Sequence, residues 1–390
     1  MTLRNINSVV AGLSPYKPGK PIEELSRELG LTDIVKLASN ENPLGASEQV
    51  KTALVSAVDE LTRYPDGSGF ALKKALSEKL KVEPHQITLG NGSNDVLDLI
   101  ARATIEGEAE GIISEHSFVV YGLSIKYAGG RTVVVPALNY GCDLQAMARA
   151  VTDKTRVIYI ANPNNPTGTW VTNQELTRFL DSIPSSVWVV LDEAYFEYVD
   201  DSEYPQGLEL QAKYPNLIVT RTFSKAYGLA ALRVGYSVSS SEFADVLNRV
   251  RQPFNVNSLA LEAALSALGD QEFIRASVRV NDMGMAQIRS GLDKFNLKVI
   301  PSIPPVQQGY VNSGYGYRKD PFDGQVRFHY GLDFAKDEGT HIKAMISGTV
   351  TLVEPDLYYT GGTLIFDHGH GISTLYMHMH EIFVEKGQKV

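Results

Sequence analysis

Between residues 86 and 222 the chain alternates two patterns. Short, almost continuous apolar runs lie at 87–89, 111–114, 131–136, 156–161, 187–191 and 217–220. Longer stretches with apolar residues at helical spacing separate them. A strand that is apolar on both faces is buried on both faces, so the pattern predicts a mostly parallel sheet with helices on each side. Polar residues gather just after these runs, as in Gly90-Asn91-Gly92-Ser93-Asn94 and Asn162-Pro163-Asn164-Asn165-Pro166-Thr167-Gly168. In open α/β sheets that edge is where ligands bind. Ahead of this region, helices are expected over 22–29, 47–61 and up to Leu80; behind it, over 242–251, 258–268 and 271–295.

The pattern changes near residue 300. Pro301, Pro304 and Pro305 crowd a short stretch that reads as a linker. Beyond it helical periodicity stops, and short strands with glycine turns are expected at 348–353, 363–366 and 373–376. The predicted plan is an α/β domain over 1–300, a linker over 301–307 and a small all-β domain over 308–390. At 390 residues the chain is too long for one ordinary core. Its net charge of −9 argues against a nucleic-acid or anionic-membrane surface. No apolar run is long enough for a membrane span, and the N-terminal residues lack a signal-peptide core. Cys142 is the single cysteine, so no intramolecular disulfide is expected. These features fit a cytoplasmic protein.

Chemistry concentrates around Thr222-Phe223-Ser224-Lys225 and the later Arg233. A lysine that forms a Schiff base needs a fixed position and a route to lose its proton. A phosphate group needs hydroxyls, backbone N–H groups and a guanidinium. If the chain is helical beyond the lysine, these fall within about four turns of each other. Pyridoxal 5′-phosphate would use all of them, together with a carboxylate for its ring nitrogen and donors to its ring oxygen. Asp192, closing an apolar run, is the candidate carboxylate, because a buried Asp wants a cationic partner. Asn165 and Tyr195 can reach the ring oxygen. Gly92, Ser93 and Asn94 open a helix whose N-terminus favours phosphate, with Thr222 and Arg233 completing the cup.

Five motifs in order carry a family resemblance: 38–45 (Ala-Ser-Asn-Glu-Asn-Pro-Leu-Gly), 63–67 (Arg-Tyr-Pro-Asp-Gly), 161–168, 192–195 (Asp-Glu-Ala-Tyr) and 222–225. The segment from about residue 30 to 300 resembles a fold-type I aminotransferase, and most closely the histidinol-phosphate aminotransferases. The resemblance implies that Lys225 holds the cofactor as a Schiff base and shuttles the substrate proton. It implies that Asp192 makes the ring an electron sink and that Phe118 stacks on it. It also implies that Tyr64 reaches the phosphate in a neighbouring subunit, hence a homodimer. The expected reaction is transamination between histidinol phosphate and 2-oxoglutarate or glutamate, in histidine biosynthesis. In that family a small C-terminal domain supplies an arginine for the substrate carboxylate. Here the resemblance stops near Pro301, which implies impaired turnover.

Six of the eight histidines follow residue 300. His329 and Asp333, four apart, could both face one zinc ion. With Asp367-His368-Gly369 and Tyr376-Met377-His378, they make this segment resemble a lysostaphin-type zinc endopeptidase. The resemblance implies His329 and Asp333 as two ligands and His378 as the histidine that assists the bound water. The third ligand of that family lies in a later His-x-His, beyond Val390; His380 could stand in for it. Two alternative readings therefore stay open: a zinc-dependent peptidoglycan endopeptidase or cell-wall-binding module, and a non-catalytic fusion of two truncated modules.

Overall fold

The computed structural model describes residues 22–30, 32–37, 39–294, 310–313, 316–319, 326–329, 333–335, 337–345, 347–358, 360–368 and 373–390. The chain divides into two compact units, Met1–Asp282 and Met283–Val390. The linker expected at 301–307 lies outside the described residues.

Along residues 22–294 the order is α1 (Ile22–Leu29), α2 (Glu48–Ala57), α3 (Phe70–Leu80), β1 (Ile87–Gly90), α4 (Ser93–Thr104), β2 (Glu110–Ser114), α5 (Val119–Tyr127), β3 (Arg131–Val135), α6 (Leu144–Arg149), β4 (Thr155–Ala161), α7 (Asn173–Ser182), β5 (Trp188–Asp192), α8 (Gly207–Gln211), β6 (Leu217–Thr222), β7 (Gly235–Val238), α9 (Ser241–Val250), α10 (Ser258–Gly269) and α11 (Gln271–Lys294). Helix starts follow capping chemistry. Ser47, Asp143, Ser240 and Asn257 each accept a bond from a first-turn N–H. Thr172 and Glu175 form a reciprocal capping box on α7. The start of α4 differs, because Gly92 has no side chain with which to cap it.

The seven strands form one sheet in the order β1-β7-β6-β5-β4-β2-β3. The pairs among β6, β5, β4, β2 and β3 are parallel, while β7 pairs antiparallel with both β6 and β1. Strand β7 is a finding beyond the sequence pattern, in which Gly235-Tyr236 read only as an extension of the lysine stretch. The strand alternation shows in β4: Ile158 and Ile160 face a core with Leu176, Phe179 and Leu180, while Val157 and Tyr159 face one with Val96, Ile100 and Phe243. Each such side chain, fully buried, contributes about 1.5–3 kcal/mol. A further cluster around Leu72, Leu76, Phe223 and Tyr227 seals the β1–β7 end.

The second unit is antiparallel in all its described strand pairs. Its strands are β8 (Tyr310–Ser313), β9 (Gly316–Lys319), β10 (Val326–His329), β11 (Asp333–Ala335), β12 (Thr349–Leu357), β13 (Gly361–Asp367) and β14 (Ser373–Met379). β9 pairs with β10 and β8 with β11. β12, β13 and β14 make a sheet over Val350, Leu364 and Phe366. The backbones of Gly348 and Val390 exchange two hydrogen bonds alongside this sheet.

Candidate active site

The ends of β4, β5 and β6 and the starts of α4 and α5 surround a cavity of about 160 Å³ in the first unit. Strand β5 delivers Asp192 to its floor, 4 % exposed. The carboxylate accepts two hydroxyl bonds, from Thr220 Oγ1 at 2.9 Å and from Tyr121 Oη at 2.7 Å. Burial pushes its pKa up; the Tyr121 and Thr220 hydroxyls and the Ala194 N–H pull it back. The Tyr121 phenol is raised well above its usual range by burial and by the nearby carboxylate. Among the described residues no cation pairs with Asp192.

Lys225 follows β6 and enters the same cavity, half-buried. Its Nζ donates to the carbonyl oxygens of Ser39 at 3.0 Å and Asn40 at 3.3 Å. Burial lowers its pKa; Glu41 opposes this and Arg233 adds to it. The 39–42 loop is tied down by its asparagines. Asn40 Nδ2 donates to Tyr195 Oη at 2.9 Å, and Asn42 Nδ2 donates to Ala226 O at 2.9 Å and Ser277 Oγ at 2.8 Å. Tyr195 in turn lies beside the lysine, with Nζ 5.6 Å from its ring centroid. The helix that the sequence allowed after Lys225 is absent. A turn and a short 3₁₀ segment, Ala230–Leu232, take its place. Gly228 there has φ +72°, and a Cβ on it would collide with the Gly45 carbonyl.

The cup opposite Asp192 depends on glycines. Gly92 has φ +80°, and a Cβ there would land on the Arg233 guanidinium. One on Gly235 would sit 2.5 Å from the Ser93 nitrogen. Arg233 Nη1 donates to Ser224 Oγ at 3.3 Å and Ala230 O at 3.1 Å. Thr222 Oγ1 accepts from the Ser224 N–H at 3.1 Å. The cup therefore offers a guanidinium, hydroxyls and the start of α4, all facing one space.

Of the sequence candidates, Ser93, Asn94, Phe118, Asn165, Asp192, Tyr195, Thr222, Lys225 and Arg233 line this cavity, and Gly92 backs it. The neighbouring asparagines hold the Asn165 loop: Asn162 bonds the Val171 backbone, and Asn164 Nδ2 donates to His116 O and Thr167 Oγ1. Tyr64 lies elsewhere, 83 % exposed and stacked on Phe254 with centroids 4.9 Å apart. Sequence reasoning missed Tyr121, Thr220 and Ser224. The signal for Tyr121 was its place three residues after Phe118, which on a helix puts both on one side; their rings meet edge to face at 5.7 Å.

In the second unit, His329 ends β10 and Asp333 begins β11; their side chains lie outside the described residues. His378 is exposed, at φ +60°, and its N–H donates to Thr360 O. His380 Nδ1 lies 2.9 Å from Glu338 Oε1. Among the described residues no group of three or more His, Cys, Asp or Glu is arranged to hold a metal ion, and no helix is long and apolar enough to cross a membrane.

Comparison with known proteins agrees with this division. Residues 32–303 match the class I and II aminotransferase family, and residues 327–390 are similar to peptidase family M23, a metallopeptidase-like match. The chain is 57 % identical over 319 residues to histidinol-phosphate aminotransferase 2 of Pseudomonas fluorescens, covering 78 % of this chain and 86 % of that one. It is 54 % identical over 294 residues to histidinol-phosphate aminotransferase 1 of Nitrosococcus oceani, covering 75 % and 80 %. Among solved structures, the histidinol-phosphate aminotransferase of Sinorhizobium meliloti, in complex with pyridoxal 5′-phosphate, superposes with TM-score 0.66 at 30 % identity, over 71 % of this chain and 74 % of that one. The aspartate aminotransferase of Thermus thermophilus shares the fold, with TM-score 0.66 at 24 % identity over 76 % and 82 %. The chain belongs to the class I and II aminotransferase family, and its chemistry is pyridoxal-phosphate-dependent transamination.

Proposed function

We propose that the chain transfers the amino group between histidinol phosphate and 2-oxoglutarate, with Lys225 as the reacting amine. One observation carries this: a depressed lysine amine and a buried carboxylate without a cationic partner share one cavity with a glycine-cleared cup. The residues fit pyridoxal phosphate. Asp192 lacks the positive partner that a protonated ring nitrogen would be. The cup has the donors a phosphate needs, and the glycines keep it open.

Bound there, pyridoxal phosphate supplies an electron sink for the charge that develops at the substrate Cα. The chain's residues do the rest. Asp192 holds the proton at the ring nitrogen, with Tyr121 and Thr220 fixing both carboxylate oxygens. Asn165 and Tyr195, which line the cavity, would donate to the ring oxygen, and Phe118 would supply an aromatic neighbour to the ring. Ser93, Thr222 and Arg233 hold the phosphate, with the N–H groups opening α4. Lys225 would anchor the cofactor and move the proton at the substrate Cα, a role that a lowered amine pKa favours.

Tyr64 acts in the site of a second copy. Its exposed ring, with Val55, Leu61 and Phe70 also exposed nearby in sequence, supports a homodimer with shared sites. A small-metabolite transaminase with one cysteine belongs in the cytoplasm. In a single turnover, histidinol phosphate should bleach the visible band of the lysine-bound cofactor. If histidinol phosphate leaves the band unchanged while another amino acid bleaches it, the substrate assignment is wrong.

A further inference from the structure

We infer that the buried Glu193–Arg221 ion pair is a positioning device that sets the spacing between Asp192 and the phosphate cup. This rests on the cofactor reading above. The last paired residues of β5 and β6 are Asp192 and Thr220. On one face of the sheet these two share the carboxylate–hydroxyl bond. Side chains alternate between faces, so the next residues, Glu193 and Arg221, meet on the other face. Glu193 Oε2 accepts from Arg221 Nε at 2.8 Å and lies 2.7 Å from Nη2. Both side chains are buried, at 0 % and 8 % exposure. The pair thus bridges the two strands one residue beyond their last paired rung.

The clamp is held from three sides. Glu193 Oε1 accepts from the Gly207 N–H at 3.2 Å, and a Cβ on Gly207 would run into that oxygen. The Arg221 guanidinium lies 3.8 Å over the Phe196 ring. Glu197 faces the same guanidinium. Neither charge reaches the cofactor cavity, so neither is a catalytic residue. Yet Asp192 precedes Glu193, and Thr222 follows Arg221. A change in strand separation here changes the distance from Asp192 to the phosphate cup, which a rigid cofactor could not absorb.

The test removes both charges of the pair; without Arg221 the Glu197 carboxyl, already raised to about 7 by burial, is pushed further towards its neutral form, so below that pH no lone buried charge is left. In Glu193→Gln/Arg221→Met the glutamine still accepts from Gly207, and an apolar side chain replaces the guanidinium. The double variant, titrated with pyridoxal phosphate, is expected to bind about ten- to a hundredfold more weakly than wild type. The pH midpoint of its visible absorption should also move. A folded double variant with wild-type affinity and midpoint would overturn the inference and leave the pair merely structural. Should the double variant not fold, Phe196→Leu, which removes the ring under the guanidinium and its contact with Tyr204 but keeps both charges, must show the same two changes in smaller degree; unchanged values overturn the inference equally. A wild-type chain that gives no band at all overturns the cofactor reading itself, and this inference with it.

Discussion

Replacing Tyr121 by Phe removes one oxygen and leaves the ring in place. The ring is fully buried and stacks on Tyr159, with centroids 5.1 Å apart and planes at 11°, so packing should survive. What disappears is the bond to Asp192 Oδ2 at 2.7 Å. A hydrogen bond to a charged acceptor contributes about 1.5–3 kcal/mol, against about 1 kcal/mol for a neutral pair. Tyr159 supplies the neutral control, since its hydroxyl donates to Leu97 O at 3.1 Å from an equally buried ring. In cofactor-free protein at pH 8, Tyr121→Phe should cost about 2 kcal/mol, and Tyr159→Phe about half that. At about 2–4 °C per kcal/mol, the first lowers Tm by about 4–8 °C. The pH dependence has a definite sign. Burial already holds the Asp192 pKa above its usual value of about 3.9. A raised carboxyl pKa destabilises the folded state above that pKa, and the loss is recovered as pH falls through it. Without the phenol the pKa rises further, so the deficit should be largest at pH 8 and shrink towards the neutral value on acidification. Calorimetry at several pH values checks this. Equal losses for the two variants at pH 8, or a deficit that does not shrink with acid, would refute the reasoning.

The remaining predictions probe other parts of the site. Asp192→Asn should keep the visible band but slow the half-reaction about 10²–10³-fold, in line with loss of one preorganised charge, as stopped-flow absorbance would measure. Gly92→Ala meets both a positive φ and the Arg233 guanidinium. It should cost about 1–3 kcal/mol and reduce the thermal stabilisation that pyridoxal phosphate confers on wild type. Burial raises Glu197 from 4.5 to about 7. Folded stability should therefore fall by about 3 kcal/mol as pH rises from about 4.5 to about 7. Glu197→Gln should flatten this dependence in urea unfolding at pH 5 and pH 8.

Most of the sheet was legible because its strands are buried on both faces and so read as bare apolar runs. Strand β7 was not, since Gly235-Tyr236-Ser237-Val238 is only four residues long and carries no apolar run; it is fixed by pairing with both β6 and β1. The strands between 310 and 335 escaped because each is only three or four residues long, too short for alternation to register as a pattern. Site residues that act through their own chemistry, such as Lys225, Asp192 and Arg233, could be named from residue type and local motif. Those that act by holding another group could not. Tyr121 is 71 residues from Asp192, and Glu193 is 28 from Arg221; only strand and helix placement brings them together. The expected helix after Lys225 failed because Gly228, packed against Gly45, starts a turn that local propensity does not disclose.

The central claim is that Lys225 holds pyridoxal phosphate in a site built for transamination. Absorbance titration of the cofactor-free chain, followed by an amino donor, tests it directly. The account predicts a visible band that saturates at one cofactor per chain, is bleached by the donor and is missing from Lys225→Ala. A wild-type chain without the band, or a Lys225→Ala chain that shows the same band, would contradict it.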